Sequence, residues 1–271
     1  MPSFLATLVN IIAWIYAAIV TAVISTISLV IILPISYVLD RNRLVMHNMA
    51  KLWAKCLIGG HPFWHLYKEG LKNFSRKRTY VIVANHQSIV DILVVLAAVP
   101  LNFKFIAKKE LFKIPSMGWH MWGADYIGLE RGNPKSAKEV LEKSRMWIDR
   151  KVSILIFPEG TRSENGEIHH FKNGAFKLAI EKKIPILPVI IDGTGATSPK
   201  KSTTVSKTAD LAIEICKPIE VCETDTVEAL KEQVHSLMVH KLAEMRACVD
   251  AAAALKMPKV NQNRGNRTDK A

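Results

Sequence analysis

The sequence predicts an α/β fold with a largely parallel sheet flanked by helices, preceded by an N-terminal membrane-embedded helical segment. Two observations lead to this fold class. Residues 1–39 carry no charged side chain, whereas from Thr79 onward short apolar runs alternate with segments of helical length. Such alternation is typical of a parallel sheet covered by helices. The 271 residues are 49% hydrophobic, which is enough for the core of one large domain or two small ones.

Residues 1–40 are predicted to form a membrane anchor. The chain is almost entirely apolar from Phe4 to Leu33, and about thirty helical residues span roughly 45 Å, more than the roughly 30 Å of a bilayer's hydrocarbon core. A cleaved signal peptide is disfavoured because no basic residues precede this run and because the run is too long. One long helix and a helical hairpin both stay open, although the absence of glycine from residues 1–58 favours one helix.

Basic residues after the anchor predict its orientation. Arg41, Arg43, Lys51 and Lys55 all follow the apolar run, which by the positive-inside rule leaves the rest of the chain on the cytoplasmic side, with a bacterial inner membrane as the expected location. The four cysteines are scattered and form no C-x-x-C pair. This pattern suits reduced thiols in the cytoplasm better than a disulfide framework.

Three segments are predicted after the anchor: a basic amphipathic connector (41–75), an α/β domain (76–256) and a polar, disordered tail (257–271). The α/β domain has six apolar runs with strand character, which are Tyr80–Ala84, Phe103–Ala107, Tyr126–Leu129, Ser153–Phe157, Ile186–Ile191 and Leu211–Ile215. Its predicted helices are Ser88–Val99, Ser116–Trp122, Pro134–Lys151, Gly174–Lys183 and Thr226–Ala254. Functional residues are expected at the carboxyl ends of the strands.

The formal net charge of +13 falls entirely on residues after 39. It suits an anionic membrane surface, phosphorylated substrates or nucleic acid. Nucleic acid is the weakest of these partners because the sequence has no helix-turn-helix, zinc-finger or RNA-binding signature. No metal site is predicted, because the adjacent His169 and His170 point apart and have no cluster of acidic residues beside them.

The run that ends at Ala84 is followed by Asn85, His86 and, five residues after the histidine, Asp91. On one continuous helix the His86 and Asp91 side chains would be roughly 140° apart, so they can meet only if His86 precedes the helix. Ser88 is a good N-cap. Asp91 would then lie in the first turn and hold one ring nitrogen of His86, leaving the other as a base. The alternative is that Asp91 serves only as a cap, since Ser88–Asp91 resembles a capping box.

A second motif, F-P-E-G-T-R-S, spans Phe157–Ser163 at the end of another apolar run. Together with N-H-x-x-x-x-D at Asn85–Asp91, it resembles the phospholipid/glycerol acyltransferase family. The resemblance is closest to bacterial members that acylate 1-acyl-sn-glycerol 3-phosphate, and it extends from about Lys51 to Lys217. Four blocks match in the family's order, at Asn85–Asp91, Tyr126–Arg131, Phe157–Ser163 and Ile186–Ile190.

The resemblance implies a reaction and a site. His86 would be the general base that deprotonates a lysophospholipid hydroxyl, and Asp91 would orient His86 and stabilise its protonated form. The alkoxide would attack an acyl thioester directly, without a covalent acyl-enzyme. No cofactor is expected, since the thioester of coenzyme A or of acyl carrier protein is a co-substrate. The expected substrate-binding residues are Asn85, Ser88, Lys108, Arg131, Glu159, Gly160, Thr161 and Arg162.

The chemistry of the second motif suits a phosphate group. Arg162 offers a planar fork of donors, Gly160 allows close backbone approach and Thr161 adds a hydroxyl. Glu159 cannot bind phosphate while ionised, and is expected to hold Arg162 or a substrate hydroxyl. Lys108 and Arg131 would complete a cationic pocket, the alternative for both being a solvated surface charge.

The predicted function is therefore acyl transfer from a thioester to the free hydroxyl of 1-acyl-sn-glycerol 3-phosphate, giving phosphatidic acid at an anionic membrane surface. Acyl carrier protein is a candidate partner as donor. Another lysophospholipid, glycerol 3-phosphate and a lyso-ornithine lipid stay open as acceptors. Two other classes are hydrolysis of a thioester by water that His86 activates, and a catalytically idle membrane scaffold.

Overall fold

The computed structural model describes residues 3–197 and 208–256. The tail predicted at residues 257–271 lies outside the described residues. The strands are β1 (Trp64–Glu69), β2 (Val81–Ala84), β3 (Phe103–Lys108), β4 (Ile127–Leu129), β5 (Ser153–Ile156), β6 (Ile186–Asp192) and β7 (Ala209–Ile215). The helices are α1 (Ser3–Thr26), α2 (Leu33–Leu39), α3 (Leu44–Gly59), α4 (Val90–Ala98), α5 (Met117–Gly123), α6 (Pro134–Asp149), α7 (Gly174–Lys182) and α8 (Val227–Lys256).

The described strands form one seven-stranded sheet in the order β1-β7-β6-β2-β5-β3-β4. Every pairing is parallel except that of β6 with β7, which is antiparallel. The sheet is thus mixed but largely parallel, and the predicted α/β class is confirmed. Each of the six predicted strands is present, with ends shifted by a residue or two.

Helices cover both faces of the sheet, which is why its central strands are buried on both sides. On β2, the side chains of Ile82 and Ala84 enter the core that α3 and α4 complete. Those of Val81 and Val83 point the other way, into the core shared with α6, α7 and α8. Packing therefore fixes β2 on both faces and leaves only its carboxyl end for polar side chains.

The N-terminal segment is one helical run from Ser3 to Leu39, which passes through a π-helical stretch at Ile27–Ile32 without reversing. Thr7–Leu39, whose most apolar 18-residue window has a mean hydropathy of 2.6, is long and apolar enough to cross a membrane by length and composition. One side of the run packs antiparallel to α3, where the Tyr16 hydroxyl donates to the Cys56 carbonyl at 2.9 Å. Only 17% of the most apolar 18-residue stretch of this run is buried, so most of its surface is uncovered.

The segment predicted as a connector, residues 41–75, contains α3 and the additional strand β1. β1 lies parallel to β7, from Trp64 opposite Ala209 to Glu69 opposite Glu214, and forms one edge of the sheet. The sequence does not predict this strand, because four of its six residues are exposed and its partner comes much later in the chain. The sheet therefore begins before residue 76.

Five neighbouring parallel strands end side by side and form the carboxyl-terminal edge of the sheet. Their order along this edge is β6, β2, β5, β3 and β4. Neighbouring strands are roughly 4.8 Å apart. The loops that follow these strands therefore lie side by side. All the predicted site residues fall on these loops, at the strand ends or on the first turn of α4.

Candidate active site

His86 and Asp91 form a hydrogen-bonded pair at the carboxyl end of β2. His86 lies in the loop before α4, and its Nδ1 is 2.7 Å from Asp91 Oδ2. The Asp91 side chain is fully buried, whereas that of His86 is 16% exposed. Asp91 Oδ2 already accepts backbone hydrogen bonds, so the pair is most stable when Nδ1 carries the ring proton. The other ring nitrogen, Nε2, is then unprotonated and can accept a proton.

Asp91 also closes the first turn of α4. Its Oδ2 atom accepts the backbone N–H groups of Gln87 at 2.7 Å and Ser88 at 2.8 Å. The Ser88 hydroxyl in turn accepts the N–H of Val90 at 3.3 Å, and the helix begins at Val90 rather than at Ser88. The capping interaction and the histidine contact thus use the same carboxylate, so the two readings of Asp91 are compatible. Ser88 is fully buried in this turn.

A ring stack fixes the plane of the His86 imidazole. The ring of Phe157, the first residue of the second motif, lies 4.2 Å from that of His86 at an interplanar angle of 24°. The carbonyl of His86 also accepts the N–H of Ser163, the last residue of the same motif, at 2.7 Å. His86 therefore contacts both the first and the last residue of Phe157–Ser163. These contacts are possible because β2 and β5 are neighbouring strands.

Glu159 holds two loops together. It is 6% exposed, and its two oxygens accept the backbone N–H groups of His86 at 2.9 Å and His169 at 3.1 Å. Burial raises the pKa of Glu159 above its ordinary value, while these two backbone donors act in the opposite sense. The expected contact with Arg162 is absent among the described residues, because both carboxylate oxygens are used by main-chain donors.

Asn85 serves the sheet. Its amide nitrogen donates to the carbonyl of Ile191, and its amide oxygen accepts the N–H of the same residue, both at 2.8 Å. The side chain is 1% exposed. Its polar atoms are thus occupied by the backbone of β6, which differs from the substrate contact that the resemblance implies. Asn85 therefore fixes the register of β2 against β6.

The remaining predicted residues lie along the edge towards β4. Gly160 has a φ of +71°, a backbone conformation that favours glycine, and the flexible side chain of Lys172 lies against it. Thr161 is exposed and Arg162 is half-buried. Arg162 pairs with no carboxylate in residues 3–197 or 208–256. Its guanidinium is therefore available to an anion.

Lys108 and Arg131 are exposed at the ends of β3 and β4. Lys108 Nζ lies 3.7 Å from a carboxylate oxygen of Glu110, a loose and solvated pair. Arg162 lies in the loop after β5, next to Ser163, whose N–H binds the His86 carbonyl. β3, which ends at Lys108, is the next strand beyond β5, and Arg131 follows β4, the strand after that.

Three polar residues at this edge were missed by sequence reasoning. Thr194, after β6, donates its hydroxyl to Asp91 Oδ1. Gln87 donates to Asp192 Oδ1 at 3.1 Å and to the Gly166 carbonyl at 3.2 Å. Lys172 lies against Gly160. No local pattern marks these residues, although position directly after a strand could have singled out Thr194.

The arrangement suits proton transfer next to an anion. A base with one free ring nitrogen, backed by a buried carboxylate, can remove a proton from a bound hydroxyl. The adjacent cations can hold a phosphate. Among the described residues, no group of three or more His, Cys, Asp or Glu side chains could hold a metal ion.

The sequence is similar to those of known acyltransferases. A family model described as Acyltransferase matches residues 65–192. The chain is 36% identical over 194 residues to the chloroplastic 1-acyl-sn-glycerol-3-phosphate acyltransferase BAT2 of Brassica napus, which covers 71% of this chain and 56% of that protein. It is 30% identical over 242 residues to a 1-acyl-sn-glycerol-3-phosphate acyltransferase of Cocos nucifera, covering 88% of this chain and 76% of the relative.

Among solved structures, the fold is similar to the crystal structure of the 1-acyl-sn-glycerophosphate (LPA) acyltransferase PlsC from Thermotoga maritima. The TM-score is 0.72 at 26% sequence identity, over 89% of this chain and 98% of that chain. The chain spans about half the length of two curated relatives, 56% of the Brassica napus protein and 50% of an Arabidopsis thaliana one. With 30% identity over most of the length of the Cocos nucifera relative, the chain belongs to the acyltransferase family.

Proposed function

We propose that this protein transfers an acyl group from a thioester to the free hydroxyl of 1-acyl-sn-glycerol 3-phosphate, giving phosphatidic acid. The observation that carries the proposal is the His86–Asp91 pair, with 2.7 Å between Nδ1 and Oδ2, bonded through the His86 carbonyl to the loop that carries Arg162. The relatives named 1-acyl-sn-glycerol-3-phosphate acyltransferases support the choice of acceptor.

In the proposed reaction, Nε2 of His86 accepts the proton of the acceptor hydroxyl as the oxygen attacks the thioester carbonyl carbon. The new C–O bond forms, the C–S bond breaks, and the proton on His86 passes to the leaving thiolate. Asp91 stabilises the imidazolium that exists between these steps. No covalent acyl-enzyme is required, so the chain needs no further nucleophile.

The acceptor's phosphate is proposed to bind on the β5 side of His86. Arg162 is half-buried, and the amine of Lys172 lies against Gly160, two residues before it. A guanidinium can form two parallel hydrogen bonds with a phosphate. Lys108 and Arg131 extend the positive potential along the strand ends and attract the phosphate or an acidic thioester donor.

Association with a membrane is part of the proposal, since the acceptor is a lipid. Support comes from the helical run Thr7–Leu39, whose length and composition allow it to cross a bilayer. We propose that the α/β domain lies on the cytoplasmic side, because basic residues follow the run directly. An anionic bilayer would also attract a domain with this positive charge.

The decisive experiment is a matrix of donors and acceptors with the full chain in lipid vesicles. The donors are acyl coenzyme A and acyl carrier protein thioesters; the acceptors are 1-acyl-sn-glycerol 3-phosphate, another lysophospholipid, glycerol 3-phosphate and a lyso-ornithine lipid. We expect the highest kcat/KM with 1-acyl-sn-glycerol 3-phosphate and its loss in His86→Ala. No incorporation into that acceptor would contradict the proposal, and thiol release without an acceptor would indicate hydrolysis.

A further inference from the structure

The two oxygens of the Asp91 carboxylate have different surroundings. Oδ2 accepts three donors, the ring of His86 and the backbone N–H groups of Gln87 and Ser88, at 2.7 to 2.8 Å. Oδ1 accepts the hydroxyl of Thr194. In the described residues no other donor reaches Oδ1, so Thr194 alone satisfies the second oxygen of a carboxylate that is 0% exposed.

The backbone brings Thr194 to this place by a specific turn. Gly193, directly after β6, has a φ of +81°, and a Cβ there would lie 2.0 Å from the Asp210 carbonyl. Only glycine fits this turn, which directs the next residue towards α4. The carbonyl of Thr194 then accepts the hydroxyl of Thr197 at 2.6 Å. Both threonines are fully buried, so the hydroxyl of Thr194 has little freedom to leave Asp91.

The other charged groups near the pair are already bound elsewhere. Glu159 accepts main-chain N–H groups, including that of His169, and Asp192 is paired with Arg246 of α8 at 3.2 Å. Gln87, whose amide oxygen lies 3.5 Å from the Thr194 hydroxyl, is bound to Asp192. Apart from His86, no cation of the described chain touches Asp91. Its negative charge is therefore stabilised by hydrogen bonds, of which that from Thr194 is one of only two from side chains.

We propose that Thr194 is a positioning residue of the His86–Asp91 pair: its hydroxyl holds the Asp91 carboxylate in the orientation that receives the His86 ring, and thereby keeps His86 in place as the base. The inference rests on the proposed function for the role of the base. Without the hydroxyl, one oxygen of the buried Asp91 carboxylate has no hydrogen-bond donor. The His86–Asp91 pair then binds an added proton more tightly, on either residue.

The test compares Thr194→Val, which keeps the shape and removes the hydroxyl, with Thr194→Ser, which keeps the hydroxyl. Ser144→Ala is the control, since it removes a buried hydroxyl that donates only to the Val140 carbonyl within α6 and contacts neither Asp91 nor Thr194. We expect the acid limb of the kcat/KM profile to move up by about one pH unit in Thr194→Val. Thr194→Ser and Ser144→Ala should keep the wild-type midpoint. Thr194→Ala replaces Thr194→Val if the valine variant does not fold.

A second measurement separates this inference from the proposed function. The ring titration of His86, followed by NMR in histidine-labelled protein and identified by its absence in His86→Ala, needs no turnover. An upward shift in Thr194→Val, reversed in Thr194→Ser, supports the inference even if the wild-type protein transfers no acyl group, which would overturn the proposed function alone. An unshifted ring titration in Thr194→Val, or an equal shift in Ser144→Ala, overturns the role of Thr194.

Discussion

A single carboxylate oxygen of Asp91 links the fold to the proposed chemistry. The oxygen that receives the His86 ring at 2.7 Å also caps the first turn of α4 through the N–H groups of Gln87 and Ser88. An error in the helix start would therefore move the base. This is why a histidine and an acid five residues apart can work as a pair, and why the residues between them must leave the helix.

Arg162 is the residue whose removal tests the phosphate site. It is half-buried, without a carboxylate partner in the described chain, so truncation breaks no internal ion pair. Hydrogen bonds to charged groups contribute about 1.5–3 kcal/mol, so we expect Arg162→Ala to raise the KM for the lipid acceptor roughly tenfold to a hundredfold, with a smaller effect on kcat. Initial-rate kinetics with varied acceptor measure both constants.

The control for Arg162 is Arg145→Ala. Arg145 is half-buried near the end of α6, which leads into the amino end of β5, and it is paired with Glu181 of α7 at 2.7 Å. It should leave the KM for the acceptor unchanged. An unchanged KM in Arg162→Ala, or an equal rise in both variants, would remove Arg162 from the phosphate site.

Elements buried on both faces could be predicted from the sequence, because their apolar runs need no partner to be recognised. This holds for β2, β5 and β6, each a nearly continuous run of buried residues. It fails for β1, where exposed side chains obscure the pattern and pairing with β7 supplies the stability. The same distinction decides which site contacts the sequence could predict. The His86–Asp91 contact joins residues five apart and could be predicted. The contacts of Thr194 and Glu159 join residues far apart in the chain, which only the strand order brings together.

β3 contains a buried amine whose charge affects stability. Lys104 is 0% exposed; its Nζ donates to the Ala124 carbonyl at 2.8 Å and lies 4.7 Å from the ring centroid of Trp147. Burial lowers the pKa of Lys104 from 10.5 to about 7. The unfolded chain then binds more protons than the folded one between these two pH values, so the stability of the fold should rise with pH across that window.

Lys104→Met should remove this dependence. The variant loses one hydrogen bond but no longer buries an ionisable group, so we expect it to unfold at neutral pH no more easily than the wild type. In urea unfolding between pH 7 and pH 9, the free energy of unfolding should rise more steeply with pH in the wild type than in the variant, by at most about 1.4 kcal/mol per pH unit. Lys51, whose pKa burial lowers to about 8, contributes a slope that both proteins share. Lys68→Met, at an exposed position of β1, is the control and should keep the slope. Equal slopes in all three proteins would contradict a neutral Lys104.

At the scale of the whole molecule, charge and apolar surface are separated. Residues 1–39 carry no charged side chain, and the net charge of +13 belongs to the rest of the chain. The two parts meet along α3 and also at α5, where an apolar groove of about 480 Å³ is lined by residues of both, including Leu33, Trp119 and Trp122. Tryptophans are typical of the bilayer interface. Because α5 follows closely on β3, this contact lies on the side of the sheet's carboxyl ends.

The uncovered face of the N-terminal run is where the proposed membrane association can be tested. Ile19 and Val23 lie one turn apart on α1 and are 57% and 51% exposed, whereas the neighbouring Ile24 is 8% exposed. Lysines at positions 19 and 23 should therefore disturb no internal packing, yet each costs roughly 2.5–3.5 kcal/mol at the centre of a membrane helix. We expect the double variant Ile19→Lys/Val23→Lys to float with phospholipid vesicles much less than the wild type.

A control variant tests whether two added charges alone weaken binding to the vesicles. Ala137→Lys/Thr224→Lys adds the same two charges at exposed positions of the α/β domain, where extra positive charge should strengthen attraction to anionic vesicles. Retained flotation of this variant, together with loss in the α1 variant, assigns binding to burial of the apolar face. If both variants float like the wild type, the N-terminal run is not the membrane contact, and the positive charge of the α/β domain must supply the attraction by itself.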